Sequence, residues 1–228
     1  MKLPIDDTWP ADERNGWNFS LHRTRTRALL TFSLRQILRP IVRFEGHGVE
    51  HVPRDGPLVL VSNHLSNYDV ILMEFVLPRA NYYMAKIEIF SNPLLGWVYR
   101  RLGAFPVERG AKDAWAMRYA LFVLESGKMI GMFPEGTRSK EGRLKPGKTG
   151  AARLAIESGA PVVPMAIYGT ENILRPWYRR PTVHIAIGEP LHVAARESPM
   201  ELTDRIMYAI AALLPKPYRG VYAQPAPV

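Results

Sequence analysis

Hydrophobic and polar residues alternate along the chain in blocks that predict strands and helices in turn. Short apolar or β-branched runs predict strands at residues 57–62, 82–86, 104–108, 128–134, 161–169 and 182–190. Longer runs with helical spacing predict helices at residues 68–77, 93–103, 111–127, 149–159 and 198–214. This alternation is typical of an α/β fold with a mixed, largely parallel sheet flanked by helices, and we expect residues 43–214 to form it.

The segment before this domain, residues 17–42, has a different pattern. Four apolar residues recur with the spacing of one helical stripe: Leu30, Leu34, Ile37 and Ile41. Three arginines recur every fourth residue on another face: Arg35, Arg39 and Arg43. The pattern predicts a basic amphipathic helix that docks on an anionic membrane surface. The alternative is a helix that packs onto the protein's own sheet.

Both ends of the chain lack such periodicity. Residues 1–16 are polar and contain two prolines, and residues 215–228 are rich in proline and alanine. We expect both segments to be flexible tails. No apolar run approaches the roughly 20 residues that a membrane-spanning helix needs, so we expect no transmembrane span.

The charge of the chain narrows the classes of partner. A formal net charge of +9 favours anionic partners, namely nucleic acid, anionic lipid or phosphorylated substrates. We find no DNA- or RNA-binding motif, and we expect no nucleic-acid partner. The chain has no cysteine, which excludes disulfides, thiolate zinc sites and a cysteine nucleophile.

A possible nucleotide-binding motif occurs in the second half of the chain. Gly142 and the sequence Gly147-Lys148-Thr149 match the G-x-x-x-x-G-K-[ST] pattern of a P-loop. A true P-loop directly follows a buried strand, whereas ten polar residues, 135–144, intervene here. A helix does follow Thr149, so contact with a phosphate at this point stays open.

A histidine and an aspartate follow the first predicted strand of the domain. His64 comes just after the strand, and Asp69 lies five residues later, near the start of a helix. A carboxylate in this position can orient an imidazole that takes up a proton. The pattern alone leaves three interpretations open: an exposed structural histidine, a metal ligand and a catalytic pair.

Two further polar clusters follow predicted strands. Glu135, Gly136, Thr137 and Arg138 form one, and Glu108 with Arg109 forms the other. Ligands of α/β proteins gather where parallel strands end, and arginine suits phosphate. We find no G-x-S-x-G nucleophile motif, so a basic His64 is expected to activate a hydroxyl of the substrate directly.

Four sequences in this order resemble the motifs of the glycerolipid acyltransferases: NHLSNYD, GAFPVERG, FPEGTRS and VPMAIYG. The resemblance is greatest to the bacterial 1-acyl-glycerol-3-phosphate acyltransferases and covers about residues 45 to 190. Two positions depart from the family pattern, because Glu108 replaces the frequent aspartate and Leu144 replaces the usual phenylalanine. Related enzymes acylate other acceptors, including glycerol-3-phosphate and lyso-ornithine lipids.

The resemblance implies a role for each matching residue. His64 would deprotonate the acceptor hydroxyl, and Asp69 would orient His64. The residues implied to bind the acceptor phosphate are Arg109, Arg138 and Lys145, with Lys148 of minor weight. Those implied to position substrate are Asn63, Gly103, Glu108, Glu135, Gly136, Thr137 and Gly147. Those implied to border the acyl pocket are Val163 and Pro164.

The resemblance also implies the substrates and the location. The acyl donor would be acyl-CoA or acyl carrier protein, and the acceptor would be a lysophospholipid, 1-acyl-glycerol-3-phosphate, which becomes phosphatidic acid. No cofactor and no metal are expected. We expect a peripheral protein on the cytoplasmic face of the membrane.

Overall fold

The computed structural model describes residues 9–17, 19, 21, 24–110, 112–173 and 180–224. Its helices are α1 (Arg25–Leu38), α2 (Asp69–Val76), α3 (Pro93–Arg101), α4 (Ala114–Glu125), α5 (Gly150–Ser158) and α6 (Pro199–Leu213). Its strands are β1 (Arg43–His47), β2 (Leu58–Ser62), β3 (Asn81–Lys86), β4 (Ala104–Val107), β5 (Met129–Met132), β6 (Val162–Tyr168) and β7 (Thr182–Ile187). The predicted α/β class is confirmed.

The strands form one mixed sheet in the order β1-β7-β6-β2-β5-β3-β4. Every neighbouring pair is parallel except β6 and β7, which are antiparallel. The carboxyl ends of β2, β5, β3 and β4 therefore meet at one edge of the sheet, which we call the carboxyl edge. Ligands of open α/β sheets bind at such an edge.

Helices cover both faces of the sheet. On one face, α4, α5 and α6 pack around a large core that includes Trp115, Tyr119, Leu154 and Ile206. On the other face, α2 contributes Leu72 and Met73 to a second core. The central strand β2 is buried along its whole length, as expected for a parallel strand covered on both sides. This packing gives the carboxyl edge a rigid base.

The amino-terminal residues pack against α4. Trp9 is buried among aromatic residues of that helix, and the Arg14 guanidinium lies 2.6 Å from the Asp113 carboxylate. Burial alone raises the pKa of Asp113, but Arg14 and the amides of Glu108 and Ala116 hold it below its ordinary value. The predicted flexible tail therefore includes residues, 9–16, that an aromatic anchor and a partly buried ion pair attach to the domain. Residues 1–8 lie outside the described part of the chain.

The segment after α6 also contacts the domain. Two 3-10 turns, Lys216–Tyr218 and Gly220–Tyr222, follow α6. The Leu144 amide donates a hydrogen bond of 2.8 Å to the Tyr218 carbonyl. This part of the predicted flexible tail thus forms turns that contact the domain, and residues 225–228 lie outside the described residues.

Helix α1 packs on α2 through only part of its surface. Leu30 and Leu34 line a narrow apolar gap against α2, and the buried Arg27 side chain donates to Glu74 (2.9 Å) and to the Asn81 carbonyl (2.7 Å). Leu30 and Leu34 are the first half of the predicted apolar stripe. For this half, the contacts support the alternative, which is a helix packed on the domain. Three apolar side chains of α1 remain exposed: Leu29, Phe32 and Ile37. None of the helices in the described residues is long and apolar enough to cross a membrane.

Candidate active site

His64 and Asp69 form a hydrogen-bonded pair at the carboxyl end of β2. The His64 Nδ1 atom lies 2.8 Å from Asp69 Oδ2. Because a carboxylate accepts hydrogen bonds, this contact assigns the imidazole proton to Nδ1 and leaves the Nε2 lone pair available. The His64 ring also stacks on Phe133, with 4.0 Å between the ring centroids. His64 keeps 8% of its surface exposed, so a substrate can reach it.

Asp69 is held in place from several directions. Its Oδ2 atom also accepts the backbone N–H groups of Leu65 (2.7 Å) and Ser66 (2.8 Å). The residue is completely buried and begins α2, where the helix dipole favours a negative charge. Of the three interpretations of the sequence pattern, this geometry supports a carboxylate that orients a proton-accepting histidine.

The turn that follows β5 forms hydrogen bonds with both the backbone N–H and the backbone carbonyl of His64. The His64 N–H donates to Glu135 Oε1 (2.9 Å), and the Ser139 N–H donates to the His64 carbonyl (2.8 Å). The other Glu135 oxygen accepts the Lys145 N–H at 3.2 Å. Burial raises the pKa of Glu135, and these two amide hydrogen bonds offset part of that effect. Glu135 therefore links the backbone of His64 to the backbone of the loop at Lys145.

This role predicts the effect of Glu135→Gln. Glutamine offers one acceptor oxygen, so one of the two amides would face an –NH₂ group instead. Misplacement of a reacting group by about 1 Å can lower a rate about 100-fold, and we expect a fall in kcat of this order for the variant. Steady-state kinetics beside a thermal unfolding curve test it, with Glu141→Gln in the same loop as the control. Unchanged kcat in Glu135→Gln would show that the bridge is dispensable.

His64 opens into a cleft of about 500 Å³ at the carboxyl edge. One part of its wall is apolar and consists of Met84, Val107, Met132 and Phe133. Another part carries charge and consists of Glu108, Arg109 and Lys148. Gly136 and Thr137 also line the cleft. The cleft thus places a proton acceptor beside two cations and an apolar surface.

The two lysines of the 144–150 loop make different contacts. The Lys145 ammonium donates to the Thr137 carbonyl and hydroxyl and to the Arg138 carbonyl, at 2.9 to 3.1 Å. Lys145 therefore braces the 135–139 turn, and its contact with the acceptor phosphate stays a prediction. Lys148 lies in the cleft instead, and its side chain crosses Gly136, where a Cβ atom would come within 2.9 Å of Nζ. Glycine is favoured at position 136 because its φ of +72° lies in the left-handed region.

Six other predicted residues lie outside the lining of the cleft among the described residues: Asn63, Gly103, Arg138, Gly147, Val163 and Pro164. The Asn63 side chain pairs with the backbone of Ile167 in β6, at 2.7 and 2.8 Å, and so fixes the end of β2. Gly103 precedes β4 at the opposite edge of the sheet and makes room for Arg27. Val163 is buried in the second core. The contacts of Asn63, Gly103 and Val163 support structural roles for these three residues.

The P-loop interpretation conflicts with the backbone hydrogen bonds of the loop. In a P-loop the amides around the lysine point at phosphate. Here the Lys148 N–H donates to the Pro134 carbonyl (2.8 Å), and the Gly147 N–H donates to the Tyr222 hydroxyl (3.2 Å). Seventeen residues, 133–149, separate β5 from α5. The motif match is therefore accidental as a nucleotide cradle, although its lysine faces the cleft.

Sequence analysis missed three residues around the site. Phe133 stacks on His64, Ser139 binds the His64 carbonyl, and Tyr222 accepts a hydrogen bond from the loop that carries Lys148. Phe133 and Ser139 are the first and last residues of the motif FPEGTRS, so their place in it was the available signal. No signal in the sequence indicated Tyr222, because it lies 75 residues from Gly147 in the chain.

We expect Tyr222→Phe to loosen the lysine loop. The change removes the acceptor for the Gly147 amide but keeps the ring that packs edge-on against Tyr208. A typical hydrogen bond contributes about 0.5–1.5 kcal/mol, so KM for a phosphorylated acceptor should rise about 2- to 10-fold. Tyr208→Phe, which alters the other ring of the same pair, is the control. A fall in kcat with an unchanged KM in Tyr222→Phe would contradict this role.

A histidine-carboxylate pair beside cations, at the carboxyl edge of an α/β sheet, can take up a proton from a hydroxyl group near a bound anion. The family comparison agrees: the Acyltransferase family model matches residues 43–168. The chain belongs to the acyltransferase family.

Curated relatives carry a more specific name. A 1-acyl-sn-glycerol-3-phosphate acyltransferase of Bacillus subtilis is 34% identical over 146 residues, which is 64% of this chain and 72% of that protein. The chloroplastic enzyme BAT2 of Brassica napus, also named a 1-acyl-sn-glycerol-3-phosphate acyltransferase, is 35% identical over 59% of this chain, but the match spans only 40% of its own length. The crystal structure of the 1-acyl-sn-glycerophosphate acyltransferase PlsC from Thermotoga maritima has the same fold, with a TM-score of 0.65, 23% identity, and coverage of 84% of this chain and 81% of that one.

Proposed function

We propose that the protein transfers a fatty acyl group from a thioester to the sn-2 hydroxyl of 1-acyl-glycerol-3-phosphate and so makes phosphatidic acid for phospholipid biosynthesis. The observation that carries the proposal is the 2.8 Å His64–Asp69 pair at the head of a cleft that also holds Arg109 and Lys148. The names of the relatives support the same acceptor.

The proposed chemistry is a direct transfer. Asp69 holds the Nδ1–H of His64, and Nε2 takes the proton of the acceptor hydroxyl as its oxygen attacks the thioester carbonyl. The tetrahedral intermediate then expels the thiolate, which receives the proton from the imidazolium. A new ester and a free thiol result. No cofactor enters the proposal, because the thioester is already activated and acyl-CoA or acyl carrier protein acts as a substrate.

The charged side of the cleft suits the acceptor phosphate. Arg109 offers a planar fork and Lys148 a point charge, the two side chains that proteins use most for phosphate. The apolar wall around Met84 and Met132 suits an acyl chain. A phosphate held between these cations would place the glycerol hydroxyl near His64.

We also propose that α1 associates with the surface of an anionic membrane, as a peripheral contact. The support differs from the predicted stripe, because Leu30 and Leu34 face the domain and the outward side chains are Leu29, Phe32 and Ile37. Arg25 and Arg39 are exposed on the same helix segment. Apolar side chains flanked by arginine are typical of interfacial helices.

A panel of acceptors tests the proposed reaction. Purified protein is incubated with acyl-CoA or acyl carrier protein and one acceptor at a time: 1-acyl-glycerol-3-phosphate, glycerol-3-phosphate or a lyso-ornithine lipid. Products are identified by mass spectrometry. Phosphatidic acid as the main product supports the proposal, and preferential acylation of either other acceptor would replace it with that substrate.

A further inference from the structure

The amino-terminal half of α3 exposes three apolar side chains. Leu94, Leu95 and Trp97 have 69%, 47% and 41% of their surface exposed. We call these three side chains the α3 patch. Neighbouring apolar side chains exposed on a rigid element usually mark a surface that contacts a partner or a membrane.

The fold places this patch at the carboxyl edge. The 3-10 turn Ile87–Ser91 follows the carboxyl end of β3, and α3 begins directly after it. Helix α3 then returns to the start of β4, whose own carboxyl end supplies Val107 and Arg109 to the cleft. Glu88 in that 3-10 turn has its pKa lowered, mainly by its hydrogen bond to Lys86 and also by the charge of Arg109. The segment that carries the patch therefore borders the cationic wall of the cleft.

The local structure holds the patch outward. The Asn92 side chain caps the helix by accepting the amides of Leu94 (3.1 Å) and Leu95 (3.0 Å). On the inner side, Gly96 is buried so close to the 3-10 turn that a Cβ atom would lie 3.0 Å from the Phe90 carbonyl oxygen. Because this side is tightly packed, the apolar side chains on the other side cannot turn inward without undoing the helix start.

Two arginines at the end of α3 lie over tryptophan rings, and one of these rings belongs to the patch. The Arg101 guanidinium lies 5.5 Å from the centre of the Trp97 ring, and Arg100 lies 5.8 Å from that of Trp17. Tryptophan and arginine together are favoured at the boundary between lipid headgroups and acyl chains. The positive charges match an anionic headgroup layer.

We infer that the α3 patch inserts into the surface of an anionic bilayer and holds the mouth of the cleft at the level where the acceptor lipid lies. This inference rests on the proposed function, since it concerns delivery of a lipid acceptor to the same cleft. A stable protein–protein interface buries about 800 Å² on each partner, more than three side chains offer. Shallow insertion into a bilayer needs only a few apolar side chains with electrostatic support.

The test separates binding to a bilayer from catalysis. The triple variant Leu94→Gln, Leu95→Gln, Trp97→Gln keeps side-chain length at two positions and removes the apolar surface. We expect sedimentation with vesicles of equal parts phosphatidylglycerol and phosphatidylcholine to show a roughly tenfold weaker partition coefficient. The control is Met200→Gln, which alters an exposed apolar side chain on α6 and should leave partitioning unchanged.

Kinetics with two acceptors provide the second measurement. With long-chain 1-acyl-glycerol-3-phosphate in the same vesicles, kcat/KM of the triple variant should fall roughly tenfold in step with partitioning. With a short-chain, monomeric acceptor it should match wild type. Unchanged vesicle binding, an equal loss on both acceptors, or a loss confined to acyl carrier protein as donor would each overturn the inference. Failure of the proposed function would show differently, as no transfer by wild type to either acceptor.

A spectroscopic measurement locates Trp97 directly. The chain has five tryptophans, so the signal of Trp97 is the difference between wild type and Trp97→Phe. We expect brominated phosphatidylglycerol in the vesicles to quench this difference signal. Equal quenching of wild type and Trp97→Phe would place the ring outside the bilayer and contradict the inference.

Discussion

We expect His64→Ala to lower kcat by about 100- to 10,000-fold and to leave the acceptor KM nearly unchanged. In the proposed mechanism the imidazole accepts the proton, whereas Arg109 and Lys148, which line the cleft, would contact the phosphate. The measurement is release of free thiol from acyl-CoA at saturating acceptor. Circular dichroism of the purified variant shows whether it is folded.

A companion variant separates orientation from proton transfer. Asn at position 69 keeps the shape of the side chain but cannot act as a charged acceptor for the imidazole and two amides together. In enzymes whose histidine is oriented by a carboxylate, this type of change lowers kcat by about 10,000-fold. We expect Asp69→Asn to resemble His64→Ala, and His47→Ala, at an exposed histidine in β1, to resemble wild type. Full turnover by a folded His64→Ala variant would rule out the proposed mechanism.

The second large effect concerns Lys148. Because its side chain lies in the cleft, we expect Lys148→Ala to raise KM for the phosphorylated acceptor about 10- to 100-fold, the equivalent of one hydrogen bond to a charged group. Lys145→Ala should raise KM less, since the Lys145 ammonium is bound to Thr137 and Arg138. Steady-state kinetics with varied acceptor at saturating donor measure both effects.

Two controls sharpen this comparison. Lys140→Ala removes an exposed lysine from the same loop and should leave KM unchanged. Lys148→Arg keeps the charge and should restore part of the affinity. A larger KM effect in Lys145→Ala than in Lys148→Ala would reverse the assignment that the structure supports.

The sequence carried enough information for the fold and for the centre of the site. Strand runs such as residues 57–62 and helical periodicity such as residues 198–214 depend on local spacing, which folding preserves. His64, Asp69, Glu108 and Arg109 all follow strands, and parallel pairing brings those strand ends together. Local pattern and topology were therefore sufficient for these residues.

The roles of the two lysines depended on contacts that no local pattern reveals. Lys145 and Lys148 lie three residues apart in one irregular loop. Which of them faces the cleft is decided by the hydrogen bond from the Lys148 amide to Pro134 and by the space over Gly136. Without regular secondary structure, side-chain direction in such a loop has no period from which it can be predicted.

The contacts that the ends of the chain make could not be predicted for a related reason. Proline and polar residues indicate the absence of long helices or strands, but they do not exclude packing. Trp9 enters an aromatic cluster with Trp115, and Tyr222 binds Gly147. Both contacts join residues far apart in sequence, and only the folded structure reveals them.

Acceptor-dependent thiol release by the wild-type protein tests the central claim most directly. Acyl-CoA is supplied with and without 1-acyl-glycerol-3-phosphate, and free thiol, phosphatidic acid and the intact mass of the protein are measured together. We predict that thiol appears only with acceptor, in equal amount to phosphatidic acid, and that the protein mass stays unmodified. Thiol release without acceptor, accompanied by an acylated protein, would contradict direct transfer through His64.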